Sequence, residues 1–467
     1  MVLPEGPLST VSTGPLFALH LEPGAPLGLQ VERALRDLIR SGSLPVGASL
    51  PATRALAADL GVSRGVVVGA YAQLAAEGYI ALRRGAAPTV AARGREADTI
   101  RVEPDVPVAS ARFNLRPDLP DLALFPRHDW LAACRASLRR AANADLAYGE
   151  MIGSAELRHR LAPFLARTRG VVASPDRTAV FAGSTHALHV LASVLREQGA
   201  RRIAVEDPAH RWRTRALAAA GLEVVPVPVD GDGLRVDLIP PNVTAVVVTP
   251  DHHFPLGVAL APERRRALVE WAARGKRLVL EHDFDGHFRY DGRAPGTLQG
   301  LAPEHVAYVG SASPLLAPTV RVGWAVLPAR LVVPVANRLF ATVVSGPRLT
   351  QLALADLIER GTLDRHLRRV RTAYKARREA LLKALDLEPA GVAAGLFVPY
   401  PVQDEGVLLA ALRERGFALD GMNEHARSPV PPGLVLGFAA SPLPTLRRAA
   451  RELQSTNGTT RRGTRSR

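Results

Sequence analysis

The chain has 467 residues, 47% of them apolar, which is enough to bury one large core and a smaller one, and its formal net charge is +15. A single cysteine, Cys134, excludes an intrachain disulfide. No charged n-region precedes an apolar h-region and no apolar run is long enough to span a bilayer, so a cytoplasmic protein without a membrane partner is expected.

From Pro26 the pattern predicts three helices and a hairpin. Leu29 to Ser41 sets Val31, Leu35, Leu38 and Ile39 at helical spacing, and Gly42 stops it. Leu50, Pro51 and Ala52 lead into a second helix that ends at Gly61. Ser63 is the candidate N-cap of a third, running to Glu77 with Val67, Tyr71 and Leu74 on one face. Strands are predicted over Tyr79 to Leu82 and Pro88 to Ala91, around Arg83, Arg84 and Gly85. Two helices joined by a tight turn and followed by a hairpin outline a winged helix-turn-helix, assigned to residues 1–92. The positive charge invites a nucleic-acid partner, yet residues 1–92 hold seven arginines against six acids. The excess of arginine over lysine reads equally well as genome composition.

Residues 93–112, with Gly94, Pro104 and Pro107, read as a linker. Over 113–455, short Val-rich runs alternate with amphipathic helices. Thr178 to Phe181, Arg202 to Glu206, Glu223 to Pro228, Val243 to Thr249, Arg277 to Glu281 and Val306 to Gly310 are the predicted strands. Such alternation implies an α/β fold, a mostly parallel sheet flanked by helices, with ligands at the carboxyl ends of the strands. Residues 456–467 carry four arginines and no acid and read as a basic disordered tail.

The segments LPATRALA and GVSR resemble the GntR family of bacterial repressors. FNLRPDLPDLALFP, VEDPAH, VVVTPDHHFPLG and EHDFDGHFRYDGR resemble a fold-type I, class I aminotransferase, a fold with a smaller C-terminal α+β subdomain. In this order the two resemble the MocR/GabR-type transcription regulators over nearly the whole chain. The resemblance implies a double-stranded DNA operator, a head-to-tail homodimer and a small-molecule effector. DNA contacts would fall at Arg54, Ser63 and Arg64 and at a wing tip of Arg83, Arg84 and Gly85, with Arg64 the candidate base reader. Gly65, Val66 and Gly69 leave the rest of that helix short of donors.

The family cofactor is pyridoxal phosphate, held as a Schiff base on a lysine. In YVGSASPLLAPTVRVG, Tyr308 to Gly323, the lysine position is Pro314, which has no amine to give, so catalytic inactivity is expected. Lysine occurs only at Lys276, Lys375 and Lys383, each read as surface charge. The family's EDDY becomes Glu281, His282, Asp283, Phe284. Without a gap, His282 replaces the aspartate that pairs with the pyridine nitrogen and Phe284 the tyrosine on the ring hydroxyl; a shift of one would give Asp283 the aspartate's role. His210 stands for the ring-stacking tyrosine and Val435 for the carboxylate-binding arginine. The phosphate cup is read at Gly183, Ser184 and Thr185, which open a helix, with Ser311, Ser313 and Arg321. His210, His253 and His282 would surround the vacated ring position, as metal ligands, as partners of an acidic ligand when protonated, or as unrelated polar replacements. These readings converge on a regulator whose large domain senses a ligand, with phosphate or another anionic group, noncovalently. A pyridoxal-phosphate enzyme with an appended DNA-binding domain and a protein-interaction scaffold are the alternatives.

Overall fold

The computed structural model describes residues 25–92, 111–147, 149–275, 277–292, 295–342, 346–388 and 391–464. The chain divides into two compact units, Met1–Asp105 and Val106–Arg467. The linker expected over 93–112 lies outside the described residues up to residue 110, as does Lys276.

In the first unit, α1 (Leu27–Ser41), α2 (Thr53–Asp59) and α3 (Arg64–Ala76) precede β1 (Ile80–Ala81) and β2 (Thr89–Val90), an antiparallel pair. Val31, Leu35 and Ile39 of α1 meet Val67, Tyr71 and Leu74 of α3 in one core with Leu50, Leu56, Ile80 and Val90. The apolar stripes anticipated at 3.6-residue spacing are thus the buried ones. Gly42 ends α1 in the left-handed region at φ 81°, which glycine reaches without a Cβ clash. The Tyr71 hydroxyl donates to the Pro51 carbonyl at 2.9 Å, fixing the approach to α2. Ser63 occupies the N-cap of α3 with extended backbone, but its hydroxyl accepts no bond from the first turn.

The second unit is built on one sheet. It opens with β3 (Phe113–Asn114), α4 (Arg127–Arg140) and α5 (Ala155–Arg169), followed by β4 (Thr178–Phe181), α6 (Ser184–Glu197), β5 (Arg202–Asp207) and α7 (Arg211–Ala219). Next come β6 (Glu223–Asp230), β7 (Gly233–Leu234), β8 (Ala245–Val248), α8 (Pro262–Arg274), β9 (Leu278–Asp283), α9 (Leu298–Leu301), β10 (Val306–Ser311) and β11 (Gly323–Val326). The eight-stranded order is β4-β11-β10-β9-β8-β5-β6-β7. β10, β9, β8, β5 and β6 run parallel, while β11 is antiparallel to both its neighbours and β7 to β6. Each strand expected from the Val-rich runs is present; the short β7 and β11, the latter hidden in the sequence behind the Pro314 loop, are the additions.

Period-two alternation sorts the sheet faces. Phe181, Val205, Leu278, Leu280 and Val309 pack with Leu188, Leu191 and Leu217 of α6 and α7. On the opposite face Val180, Tyr308 and Trp324 pack with Leu161 and Phe164 of α5, and Val246 and Val279 with Leu268 and Ala272 of α8.

After β11 follow α10 (Ala329–Thr342), α11 (Arg348–Glu359) and α12 (Thr362–Leu385). The smaller α+β part comprises β12 (Phe397–Pro401), α13 (Glu405–Glu414), β13 (Phe417–Ala418), β14 (Asp420–Gly421), β15 (Gly433–Gly437) and α14 (Leu443–Thr464). The expectation of a disordered tail from residue 456 is corrected here: α14 continues to Thr464. The reason is docking. Thr456 and Asn457 are buried, Arg415 donates to the Thr456 hydroxyl at 2.9 Å, and Asn457 donates to the Tyr400 hydroxyl at 3.3 Å.

Candidate ligand site and nucleic-acid interface

The sheet's register assembles one end of the ligand site. Ser311, the last residue of β10, pairs with Gly323, and Gly323 pairs with Phe181 at the end of β4. Gly183 follows at φ 115° as the N-cap of α6, and among the described residues no side chain caps the first turn. The helix approaches so closely that a Cβ on Gly323 would stand 2.5 Å from the Gly183 carbonyl carbon. Beside this turn, Ser311 Oγ donates to Ser313 Oγ and accepts from the Ser313 amide, both at 3.1 Å. Arg321 is exposed and held at φ 51°, a left-handed conformation that a non-glycine residue reaches at a cost of about 1 kcal/mol or more. Gly183, Ser184, Thr185, Ser311, Ser313 and Arg321 are therefore neighbours through β4, β11 and β10, as the sequence implied. Aligned amides and a helix N-terminus favour an anion, and a guanidinium adds two parallel donors.

The other end is lined by rings. His210 is the N-cap of α7: its Nδ1 accepts from the Trp212 amide at 3.3 Å, and its Nε2 lies 3.7 Å from Asp118. The His210 ring is 4.9 Å from Phe254 and 5.8 Å from His425. His282 continues the Leu278 and Leu280 face of β9, the α6 and α7 side, with Phe284 at 6.2 Å. Both nitrogens of His282 and both of His253 are buried without a hydrogen-bond partner among the described residues. Burial pushes His253 down to about 4 and His282 well below the usual imidazole range, the latter with help from the Arg213 charge. Burial thus favours the neutral form of both rings. Among the described residues, no three His, Cys, Asp or Glu side chains converge as a metal-binding group.

The register question at Asp283 is answered by the opposite sheet face. There the Asp283 carboxylate accepts from Arg169 Nε at 2.6 Å, from the Tyr308 hydroxyl at 2.7 Å and from the Gly286 amide at 2.9 Å. Arg169 also binds Asp251, which Arg265 reaches at 3.3 Å. Burial alone would raise Asp283, but Arg169, His287 and the hydrogen bonds hold it below the ordinary carboxylate range. Asp283 is thus consumed by an internal network, and a one-residue shift does not return it to the pocket. Next to it, burial raises Glu281 to about 8, with the Asp251 charge adding, while the Leu298 and Gln299 amides donate to it at 2.9 and 2.8 Å. Sequence reasoning missed Arg169, Asp118 and His425. Arg169 lies 114 positions from Asp283, and no local pattern announces the pair.

Pro314 is buried in the turn after β10, where the Leu316 amide donates to the Ala312 carbonyl at 2.9 Å. Lys375 and Lys383 are exposed on α12, and Lys375 pairs with Glu379 at 4.0 Å. Val435 is fully buried against Phe254, Phe397 and Met422. For pyridoxal phosphate, the residues present fit the phosphate but not the aldehyde or the ring nitrogen of the family's pattern.

In the first unit Arg54, Ser63, Arg64, Arg83, Arg84 and Gly85 are all exposed. Gly85 turns the hairpin tip at φ 80°. None of these arginines makes an ion pair among the described residues, in contrast to Arg36, which bridges Glu32 and Glu77.

Residues 27–90 match the family described as bacterial regulatory proteins, gntR family, and residues 122–424 match aminotransferase class I and II. The chain is 31% identical to the HTH-type pyridoxine biosynthesis transcriptional regulator PdxR of Corynebacterium glutamicum over 92% of this chain and 96% of that one. It is 29% identical to the probable rhizopine catabolism regulatory protein MocR of Rhizobium meliloti, over 94% and 95% of the two chains. With HTH-type transcriptional regulator TauR of Rhodobacter capsulatus the identity is 32% over 80% and 82%. Among solved structures, an archaeal alanine:glyoxylate aminotransferase is 25% identical with a TM-score of 0.69, covering 74% of this chain and 91% of that one. A gntR-type helix-turn-helix followed by an aminotransferase class I and II domain, with regulators as relatives over most of the chain, places the chain among the MocR-type transcription regulators.

Proposed function

We propose that this regulator binds its operator through Arg54, Ser63, Arg64 and the wing tip at Arg83, Arg84 and Gly85, and that its aminotransferase-like unit is a noncovalent ligand sensor rather than an enzyme. The observation that carries the sensor reading is Pro314, buried in the turn where a Schiff-base lysine belongs, with Lys375 and Lys383 exposed on α12. The cup at Gly183, Ser184, Thr185, Ser311, Ser313 and Arg321 supports an anionic group on the effector. The His210, His253, His282 and Phe284 end supports an uncharged, planar remainder. Neutral imidazoles offer one donor and one acceptor each and no net charge.

A homodimer completes the reading. A cavity of ≈ 1110 Å³ beside the cup is lined by Ala182, Met151, Phe340, Gly346 and Arg348, and Phe340 is 70% exposed, with Leu146, Met151 and Leu349 also open to solvent. A second copy seated there would cover apolar surface of a kind monomers rarely leave bare and would close the ligand site. A ligand then alters DNA binding only if it favours one arrangement of the dimer over another.

The test is exposure of the purified full chain to pyridoxal phosphate followed by borohydride. The expected result is no covalent adduct, with binding detected by calorimetry and competed by inorganic phosphate. A trapped lysine adduct within the second unit would overturn the noncovalent reading. Cytoplasmic residence follows from operator binding, and no described helix is long and apolar enough to cross a membrane.

A further inference from the structure

The outer face of α3 has a composition that nothing inside the chain explains. Gly65, Val68, Gly69 and Ala72 recur at helical spacing and all are exposed. A glycine within a helix costs about 1 kcal/mol relative to alanine. Intramolecular packing requires neither glycine: a Cβ on Gly69 would meet nothing within 4 Å, and one on Gly65 only the Ser63 hydroxyl at 3.8 Å. Between them Val68 stands 44% exposed, the one bulky group on this face. Gln73, on the flank, is committed to Glu77 at 2.8 Å. Past Arg64, then, the face presents methyl groups and bare backbone, with no free hydrogen-bonding side chain along its centre.

We infer that Val68 is a specificity-determining residue that reads thymine through its C5-methyl group, Gly65 and Gly69 letting the backbone of α3 come close to the groove floor. The inference rests on α3 being the DNA-reading helix. In the major groove thymine alone presents a methyl group, so an apolar side chain can select it where no donor is available. The side chains missing at Gly65 and Gly69 would otherwise hold the helix axis away from the bases. Arg64, at the first turn, is left as the residue able to make a directional base contact, so the recognised site should combine one guanine with thymine a few base pairs away.

The test uses the full chain to enrich binders from a pool of random DNA duplexes, then replaces each enriched thymine in turn by uracil, which lacks only the methyl group. One uracil position should weaken binding about fourfold, the value of one buried methyl group. Val68→Ala should weaken the parent duplex similarly and abolish the difference between thymine and uracil there. Gly69→Leu should weaken binding more than tenfold without lowering the melting temperature, which keeps misfolding apart from lost contact. A pool that enriches no sequence overturns the operator-binding reading itself. An enriched sequence whose uracil forms bind unchanged, or whose thymine preference survives Val68→Ala, overturns this inference alone.

Discussion

The two ends of the proposed ligand site are built from different materials. At the cup the geometry is backbone: the α6 N-terminus, the turn at Gly183, and Gly323 pressed against it. At the other end it is side chains: His210 and His282, with Phe284 beside His282, and Asp283 bound to Arg169 on the opposite sheet face. Backbone geometry follows from the sheet order and survives wide changes of sequence, because helix-to-sheet packing alone demands Gly323. Side-chain chemistry has no such protection. Packing therefore accounts for most of the cup, with one exception. Packing does not call for an arginine at φ 51°, and Arg321 is the cup residue whose presence needs an external reason.

The comparison breaks most readily at Arg169. If Asp283 belongs to the wall behind the pocket, Arg169→Ala leaves Asp283 and Asp251 buried without their shared cation. Removing one partner of a buried pair costs on the order of 3–5 kcal/mol. Chemical denaturation should show that loss as a lowered unfolding midpoint. A loss below about 1 kcal/mol would show that Asp283 is free to turn toward a ligand.

Acid should test the buried imidazoles. His253 has a folded value of about 4 against an ordinary value of 6.5, the effect of burial. Its neutral form is the one that folding favours. The stability it contributes is therefore complete above about 6.5 and is lost progressively as the pH falls toward about 4, a swing of about 3 kcal/mol in all. His287, also near 4 by burial, adds a parallel loss. His253→Asn should flatten the decline measured by urea midpoints between pH 7 and 4.5, with His282 and His287 contributing to the slope that remains. An unchanged slope in His253→Asn would mean that its ring is hydrated in solution.

Much of this was legible in the sequence, for physical reasons. The helices of the first unit and the parallel strands of the second follow from 3.6- and 2-residue periods, which neighbours in sequence fix. The glycine-opened cup was visible because a helix N-terminus is a local object. What the sequence withheld was long-range. Whether Asp283 or His282 faces the pocket depends on which sheet face Arg169 approaches, and that is decided by the path of α5. The tail misled because Thr456 and Asn457 are polar yet buried, satisfied by Arg415 and Tyr400, so composition signalled disorder where hydrogen bonding imposes a helix. Likewise β11 was missed because its register with β4 and β10, not its short apolar run, makes it a strand.

Arg321 separates the two components of the cup. Arg321→Gly removes the guanidinium and relieves the left-handed strain at once, so stability should rise by about 1 kcal/mol while affinity for pyridoxal phosphate falls tenfold or more. Calorimetry and thermal melting on the same preparation would read both. Affinity unchanged by Arg321→Gly would reduce the cup to a packing feature and leave no anion on the effector.

The smallest effect on stability should come from Ser313. Its hydroxyl accepts from Ser311 at 3.1 Å, yet Ser311 has a second acceptor in the Val322 carbonyl at 3.5 Å and still receives the Ser313 amide at 3.1 Å. Ser313→Ala therefore orphans no buried group, and stability should stay within about 0.5 kcal/mol of the parent. A hydrogen bond to a charged group contributes roughly 1.5–3 kcal/mol, so affinity should fall by about tenfold or more. Equal losses in affinity and stability would mean that the Ser311–Ser313 pair braces the Pro314 turn instead of donating to an anion, leaving Arg321 and the α6 amides to hold the phosphate.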